Sequence, residues 1–119
     1  MDLGHPSLLF KICALADWSA AVAKGTYQGS ADDRRDGFIH LSAPHQLPRT
    51  LETHFAHETG LVLVAFAGNA LGSGLKWEPS RSGKLFPHLY GPLQPSAALW
   101  VRQIPDSGRD DFLRELVRP

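Results

Sequence analysis

Leu61-Val62-Leu63-Val64-Ala65-Phe66-Ala67 decides the fold. Every position in it is apolar, so a strand drawn through it with a period of two is apolar on both faces, and its valines favour a pleated backbone. It is the longest apolar run in the chain and falls far short of the roughly 20 residues that a membrane span requires. The segment therefore reads as the centre of the fold, a strand covered from above and below. Upstream, Leu8-Leu9-Phe10-Lys11-Ile12-Cys13-Ala14 has the length of a second buried strand, interrupted only by Lys11.

Between these strands, Asp17 reads as the N-cap of a helix with Trp18, Ala21 and Val22 at i, i+3, i+4 spacing, stopped by Gly25. Thr26 to Arg35 is polar and turn-rich. From Asp36 to Ser42 the alternation predicts a strand with Ile39 and Leu41 on one face and Phe38, His40 and Ser42 on the other. Leu47, Leu51 and Phe55 mark the buried stripe of a helix from about Pro48 to Glu58, with Pro48 confined to the first turn because an interior proline deletes a hydrogen bond.

Beyond the central strand, Gly68-Asn69 turns the chain and Leu75 to Glu78 forms a short strand with Trp77 and Glu78 facing opposite ways. Pro79 to Lys84 is a polar loop. Phe86 to Leu93 carries two prolines and a glycine and so reads as irregular or as an edge segment. A strand from Ala97 to Ile104 and a helix from about Arg109 to Val117, with Phe112, Leu113, Leu116 and Val117 inward, complete the chain. Strands mixed with two or three helices make an α+β fold. The expected organisation is one domain over residues 1–119, with a motif-bearing core at about 8–104 and a helical tail at 105–119.

Twelve Lys and Arg balance twelve Asp and Glu, and Arg34-Arg35 sits among Asp32, Asp33 and Asp36. That balance argues against an electrostatic grip on nucleic acid or on an anionic membrane. No charged segment followed by an apolar stretch opens the sequence, and one cysteine cannot form an intrachain disulfide, so a soluble, cytoplasmic protein is expected.

His54 and His57 at i, i+3, with His45 upstream, lack the Cys pair or Glu spacing of zinc sites, and no metal is expected. Cys13, within an apolar strand, reads as an inert small hydrophobe. Gly72-Ser73-Gly74 lacks the following Lys-Ser or Lys-Thr and helix of a phosphate loop and reads as a connector. More informative are His40 with Ser42, Trp77 with Glu78, and His88 with Tyr90. Flat rings beside imidazole, hydroxyl and carboxylate groups suit a nucleotide-like ligand. The same residues also suit internal duty, with His40 hydrogen-bonded in the core and Trp77, His88 and Tyr90 as packing.

Gly37-Phe38-Ile39-His40-Leu41-Ser42, then Gln46, Leu75-Lys76-Trp77-Glu78 and Phe86-Pro87-His88-Leu89-Tyr90-Gly91-Pro92-Leu93 resemble, in order and spacing, the signature of the domain-of-unknown-function family 952 of bacterial proteins, from about Leu9 to Ile104. The resemblance implies an ADP-ribosyltransferase-like fold, a split and strongly bent pair of small sheets with a cleft between them. The family has no established activity. The region from Leu61 through Ser80-Arg81-Ser82-Gly83 to Pro95 is also similar in layout to RNA 2′-phosphotransferases, which share that fold and consume NAD. That likeness implies a cleft in which His40, Glu78 and His88 are candidate catalytic residues, Glu78 stabilising an oxocarbenium-like state. Lys11, Ser42, Trp77, Arg81 and Tyr90 are the candidate ligand contacts, with Lys11 standing where relatives often carry histidine. NAD or a phosphorylated nucleoside is the expected ligand; the alternative is a non-catalytic module binding a small molecule or a peptide.

Overall fold

The computed structural model describes residues 8–80 and 83–116. Along the chain run β1 (Leu8–Ala14), α1 (Leu15–Lys24), α2 (Ala31–Asp36), β2 (Ile39–His40), α3 (Leu47–His54), β3 (Leu61–Ala67), β4 (Leu75–Pro79), β5 (Leu85–Leu89), β6 (Ala98–Gln103) and α4 (Arg109–Leu116). The architecture is α+β, with two antiparallel three-stranded sheets ordered β1-β3-β6 and β2-β5-β4.

β3 is the central strand of the first sheet, and Val62 to Phe66 expose no surface. Its two faces feed two cores. Leu9, Cys13, Val62, Val64 and Phe66 meet Trp18 and Ala21 of α1 and Ile39, Leu41 and Leu89 of the second-sheet side. Phe10, Ile12, Leu61, Leu63 and Ala65 lie on the opposite face, beneath Leu47 and Leu51 of α3 and Leu113 of α4. The first sheet is thus a middle layer, with α3 and α4 outside it and the second sheet inside. Alternation along β1 puts Lys11 on the same side as Leu9 and Cys13, facing the layer between the sheets. Lys11 is 4% exposed. No helix among the described residues is long and apolar enough to cross a membrane.

Several expectations need correction. Among the described residues there are four α-helices, not two or three. The segment read as turn-rich contains α2, whose composition Ala-Asp-Asp-Arg-Arg-Asp offers no apolar stripe. α1 is capped at Ala14 without a side-chain bond, and Asp17 lies in its first turn, where a carboxylate complements the helix dipole. Gly25 does end it, in the left-handed conformation. The main helix of the third region stops at His54, with Pro48 in its first turn as expected.

The largest correction concerns Leu85–Leu89, which is the middle strand of the second sheet despite Pro87. Leu41 donates its N–H to the Pro87 carbonyl at 3.0 Å. Pro87 has no N–H to return. β2 leaves the sheet at this point and is only two residues long. Its continuation crosses to the first sheet, where Ser42 and Phe10 exchange two backbone hydrogen bonds of 2.9 Å. The proline therefore sits where a partner strand ends, and the sequence rule against interior prolines is satisfied locally. Val117, expected on the inner face of the last helix, lies outside the described residues.

Candidate functional site

The site is organised by Asp33, a residue in a run of charges. Ser30 caps α2: its hydroxyl accepts the Asp33 N–H at 3.2 Å, and the Asp33 carboxylate accepts the Ser30 N–H at 2.9 Å. This reciprocal capping box turns the Asp33 side chain inward, where it is 2% exposed. Lys11 Nζ reaches one carboxylate oxygen at 2.8 Å, and the other accepts the His40 backbone N–H at 3.1 Å and lies 2.6 Å from His40 Nδ1. Lys11 also donates to the His40 carbonyl at 3.1 Å. Burial works against ionisation of Asp33, yet the His40 hydrogen bond and the Lys11 ammonium hold its carboxyl well below the usual carboxylate range. Gly29 makes the approach possible: its φ is +105°, and a Cβ there would stand 2.7 Å from Asp33 Cβ.

A second histidine faces the first across the sheet. His40 and His88 are register partners on β2 and β5, and their ring centroids are 5.7 Å apart. His88 Nδ1 lies 2.8 Å from Glu78 Oε1, and the Tyr90 hydroxyl donates to the same oxygen at 2.8 Å. A carboxylate is acceptor-only, so Nδ1 is assigned as the donor in both rings, and only His88 has its Nε2 left for other use. His40 Nε2 faces Asp36 Oδ2 at 3.0 Å on the surface, whereas His88 Nε2 has no protein partner among the described residues. Phe38 stacks on His88 at 3.9 Å and leans on His40 at 4.7 Å and Tyr90 at 5.3 Å. The hydrogen bonds from His88 and then Tyr90 lower the Glu78 carboxyl, and the Glu78 partner raises the Tyr90 phenol. Gly74 allows β4 to run this close to Tyr90: a Cβ there would be 2.5 Å from the Tyr90 carbonyl oxygen.

The structure thus brings together His40, Glu78, His88 and Tyr90. It places Lys11 beneath them, its ammonium committed to Asp33 and to a backbone carbonyl. Ser42 stands apart, its hydroxyl 3.4 Å from Thr50 Oγ1. Trp77 packs against the core that holds Leu9 and Val64, on the face of β4 opposite Glu78. Arg81 lies outside the described residues. Cys13 is buried, and burial pushes its thiol up to about 11. Among the described residues no group of three or more metal-ligating side chains forms.

Three participants escaped the sequence reading: Asp33, Asp36, and Phe38 in its role as the shared ring. The spacing Ser30-x-x-Asp33 was the available signal, since a capping box fixes where the carboxylate points. Phe38 was placed on the His40 face, but nothing in the sequence showed that its ring would lie between two imidazoles.

No curated protein matches the chain. A crystal structure of protein CC0527 from Caulobacter crescentus is similar over 90% of this chain and 98% of its own, with 42% identity and a TM-score of 0.83. A solution NMR structure of CC0527 is similar over 83% of this chain and 85% of its own, with 45% identity and a TM-score of 0.75. The family described as "Protein of unknown function (DUF952)" matches residues 12–101, which include β2, β4, β5 and every residue of the paired-histidine cluster. The chain belongs to that family.

Proposed function

We propose that the face of the second sheet carrying His40 and His88 binds a nucleotide-like ligand, with NAD or an ADP-ribose derivative the chemistry that fits best, on a fold of the ADP-ribosyltransferase-like kind. The observation that supports this reading is the approach of two imidazoles to 5.7 Å, each anchored through Nδ1 by its own carboxylate. Anchoring fixes the direction of His88 Nε2, which is what orienting a ribose hydroxyl or moving a proton at one requires, while His40, held between Asp33 and Asp36, forms the fixed wall beside it. Phe38 and Tyr90 supply flat apolar surface for a ring of the ligand. Glu78, with a side chain 34% exposed, positions His88 and carries negative charge where a ribose would acquire positive charge. Lys11 acts through Asp33 as a positioning residue for His40. A cytoplasmic setting, expected from the lone cysteine, suits such a ligand.

Titration with NAD, ADP-ribose and nucleoside phosphates, followed by thermal shift and by the NMR resonances of His40 and His88, tests the proposal. A ligand at 100 times its Kd stabilises the native state by about 2.7 kcal/mol. No stabilisation and no movement of either imidazole at millimolar ligand would overturn it.

A non-catalytic binding module is favoured by one observation: Glu78 Oε1 already accepts from both His88 and Tyr90, so its charge is committed inside the protein. Glu78→Gln separates the two readings. It abolishes turnover in the first and leaves ligand affinity largely intact in the second.

A further inference from the structure

A groove of about 280 Å³ opens beside the histidine pair, and Phe38 belongs to both. Its floor is Ile39 and Leu89 with the buried, Lys11-paired Asp33 beside them, and its rims carry Gln28, Arg34 and two residues without side chains, Gly37 and Gly91. A Cβ at either glycine would meet no atom within 4 Å, so these rims open directly onto the groove.

Arg34 stands apart from the other charged residues of α2. Asp33 is neutralised by Lys11, and Asp32 and Asp36 are bonded by Arg35 at 2.9 and 3.1 Å. Arg34 forms no ion pair among the described residues, is exposed, and borders the groove. A guanidinium left free beside an apolar floor and a side-chain amide has the features that recognise a planar base joined to a phosphate: apolar surface for the base, Gln28 for its edge, and Arg34 for the anion. The volume is below the usual range for a pocket that encloses a whole drug-sized ligand, so it suits one half of an extended molecule.

We propose that this groove is a nucleoside monophosphate subsite in which Arg34 binds the phosphate, continuous across Phe38 with the histidine site. The inference deepens the function proposed above and rests on it for the other half of the ligand. Specificity is divided accordingly. The groove selects a base and phosphate, and the histidine pair receives whatever is attached beyond the phosphate.

The test uses AMP and NAD, titrated calorimetrically and by amide and imidazole NMR into the wild type, Arg34→Glu and Arg34→Lys. AMP is expected to move the amides of Gln28, Gly37 and Gly91, with at least tenfold weaker binding to Arg34→Glu and partial recovery in Arg34→Lys. Arg34 is exposed, so its variants are expected to keep the wild-type Tm and circular dichroism. Equal AMP affinity in Arg34→Glu and wild type overturns the proposal, as does AMP binding that leaves the groove amides unmoved, or no AMP binding at all. NAD that shifts His40 and His88 alone sinks the groove and spares the histidine site. AMP held in the groove while no nucleotide moves either imidazole does the reverse.

Discussion

Replacing Asp33 with asparagine probes the buried relay from Lys11 to His40. The carboxylate accepts four hydrogen bonds, two on each oxygen: Lys11 Nζ and the Ser30 N–H on one, the His40 N–H and Nδ1 on the other. Asparagine has one acceptor oxygen, so in either orientation its NH2 group confronts a pair of donors. The Lys11 ammonium, 4% exposed, then loses its counter-charge and keeps neutral partners, among them the His40 carbonyl and the Tyr27 ring 5.9 Å away. Removing one partner of a buried ion pair costs about 3–5 kcal/mol. Taking about 3 kcal/mol, because that carbonyl remains, and about 4 °C per kcal/mol for a chain of this length, Tm should fall by about 12 °C. Chemical denaturation at pH 7 measures the loss directly.

The pH dependence supplies a second check. The folded-state carboxyl of Asp33 lies below its unfolded value, so its contribution is fully present above about pH 4 and is lost as pH falls further through the folded value. The stability gap between wild type and Asp33→Asn should be complete at neutral pH and close in acid. Lys11→Met should also cost at least about 1 kcal/mol less in the Asp33→Asn background than in the wild type, because the two side chains are coupled. A gap under about 1 kcal/mol at pH 7, a gap that persists unchanged in acid, or strict additivity would refute the assignment.

Other consequences are accessible to simpler measurements. In Glu78→Gln the Tyr90 phenol loses the carboxylate that raises it, and its ultraviolet titration should return to the ordinary tyrosine range while Tyr27, raised by burial, stays inert until unfolding; an unchanged curve would mean the Tyr90–Glu78 bond is absent in solution. Gly74→Ala forces a Cβ to 2.5 Å from the Tyr90 carbonyl oxygen, so β4 and β5 must separate, at a cost on the order of 1–3 kcal/mol by equilibrium unfolding; a neutral substitution would contradict that close approach. Cys13, whose thiol burial pushes up to about 11, should react with a neutral-pH thiol reagent at the rate of unfolding, and rapid labelling of the native protein would show that β1 opens locally.

The central strand was legible because Leu61 to Ala67 is apolar in both periodic classes, a pattern that only a doubly covered strand requires. The last helix was legible from Phe112, Leu113 and Leu116, which face the second core. α2 was not, since six residues without an apolar stripe carry no periodic signal, and helical stability there comes from a cap and from the tie to Lys11. β5 was obscured by Pro87, whose missing N–H matters only in relation to where β2 turns away. Within the site, His40, Glu78, His88 and Tyr90 were found as residue types with suitable chemistry. Asp33 was hidden because a charge run ordinarily faces solvent, and its partner lies 22 residues earlier on a strand in the other sheet. Lys11 was noticed as an anomaly of β1, but sequence offered no means of telling a ligand contact from an internal counter-ion.

Two reciprocal main-chain pairs, Phe10 with Ser42 and Tyr27 with Leu93, lie outside every regular ladder. The first stitches one layer to the other, and so its amides serve as a built-in gauge. Their hydrogen exchange records parting of the layers, whereas exchange in the middle of β3 records dissolution of a sheet. A protein that breathes by splitting along this join would lose protection at Phe10 and Ser42 long before Leu63 and Val64, and the difference between the two free energies would measure how far the halves behave as separate cooperative units.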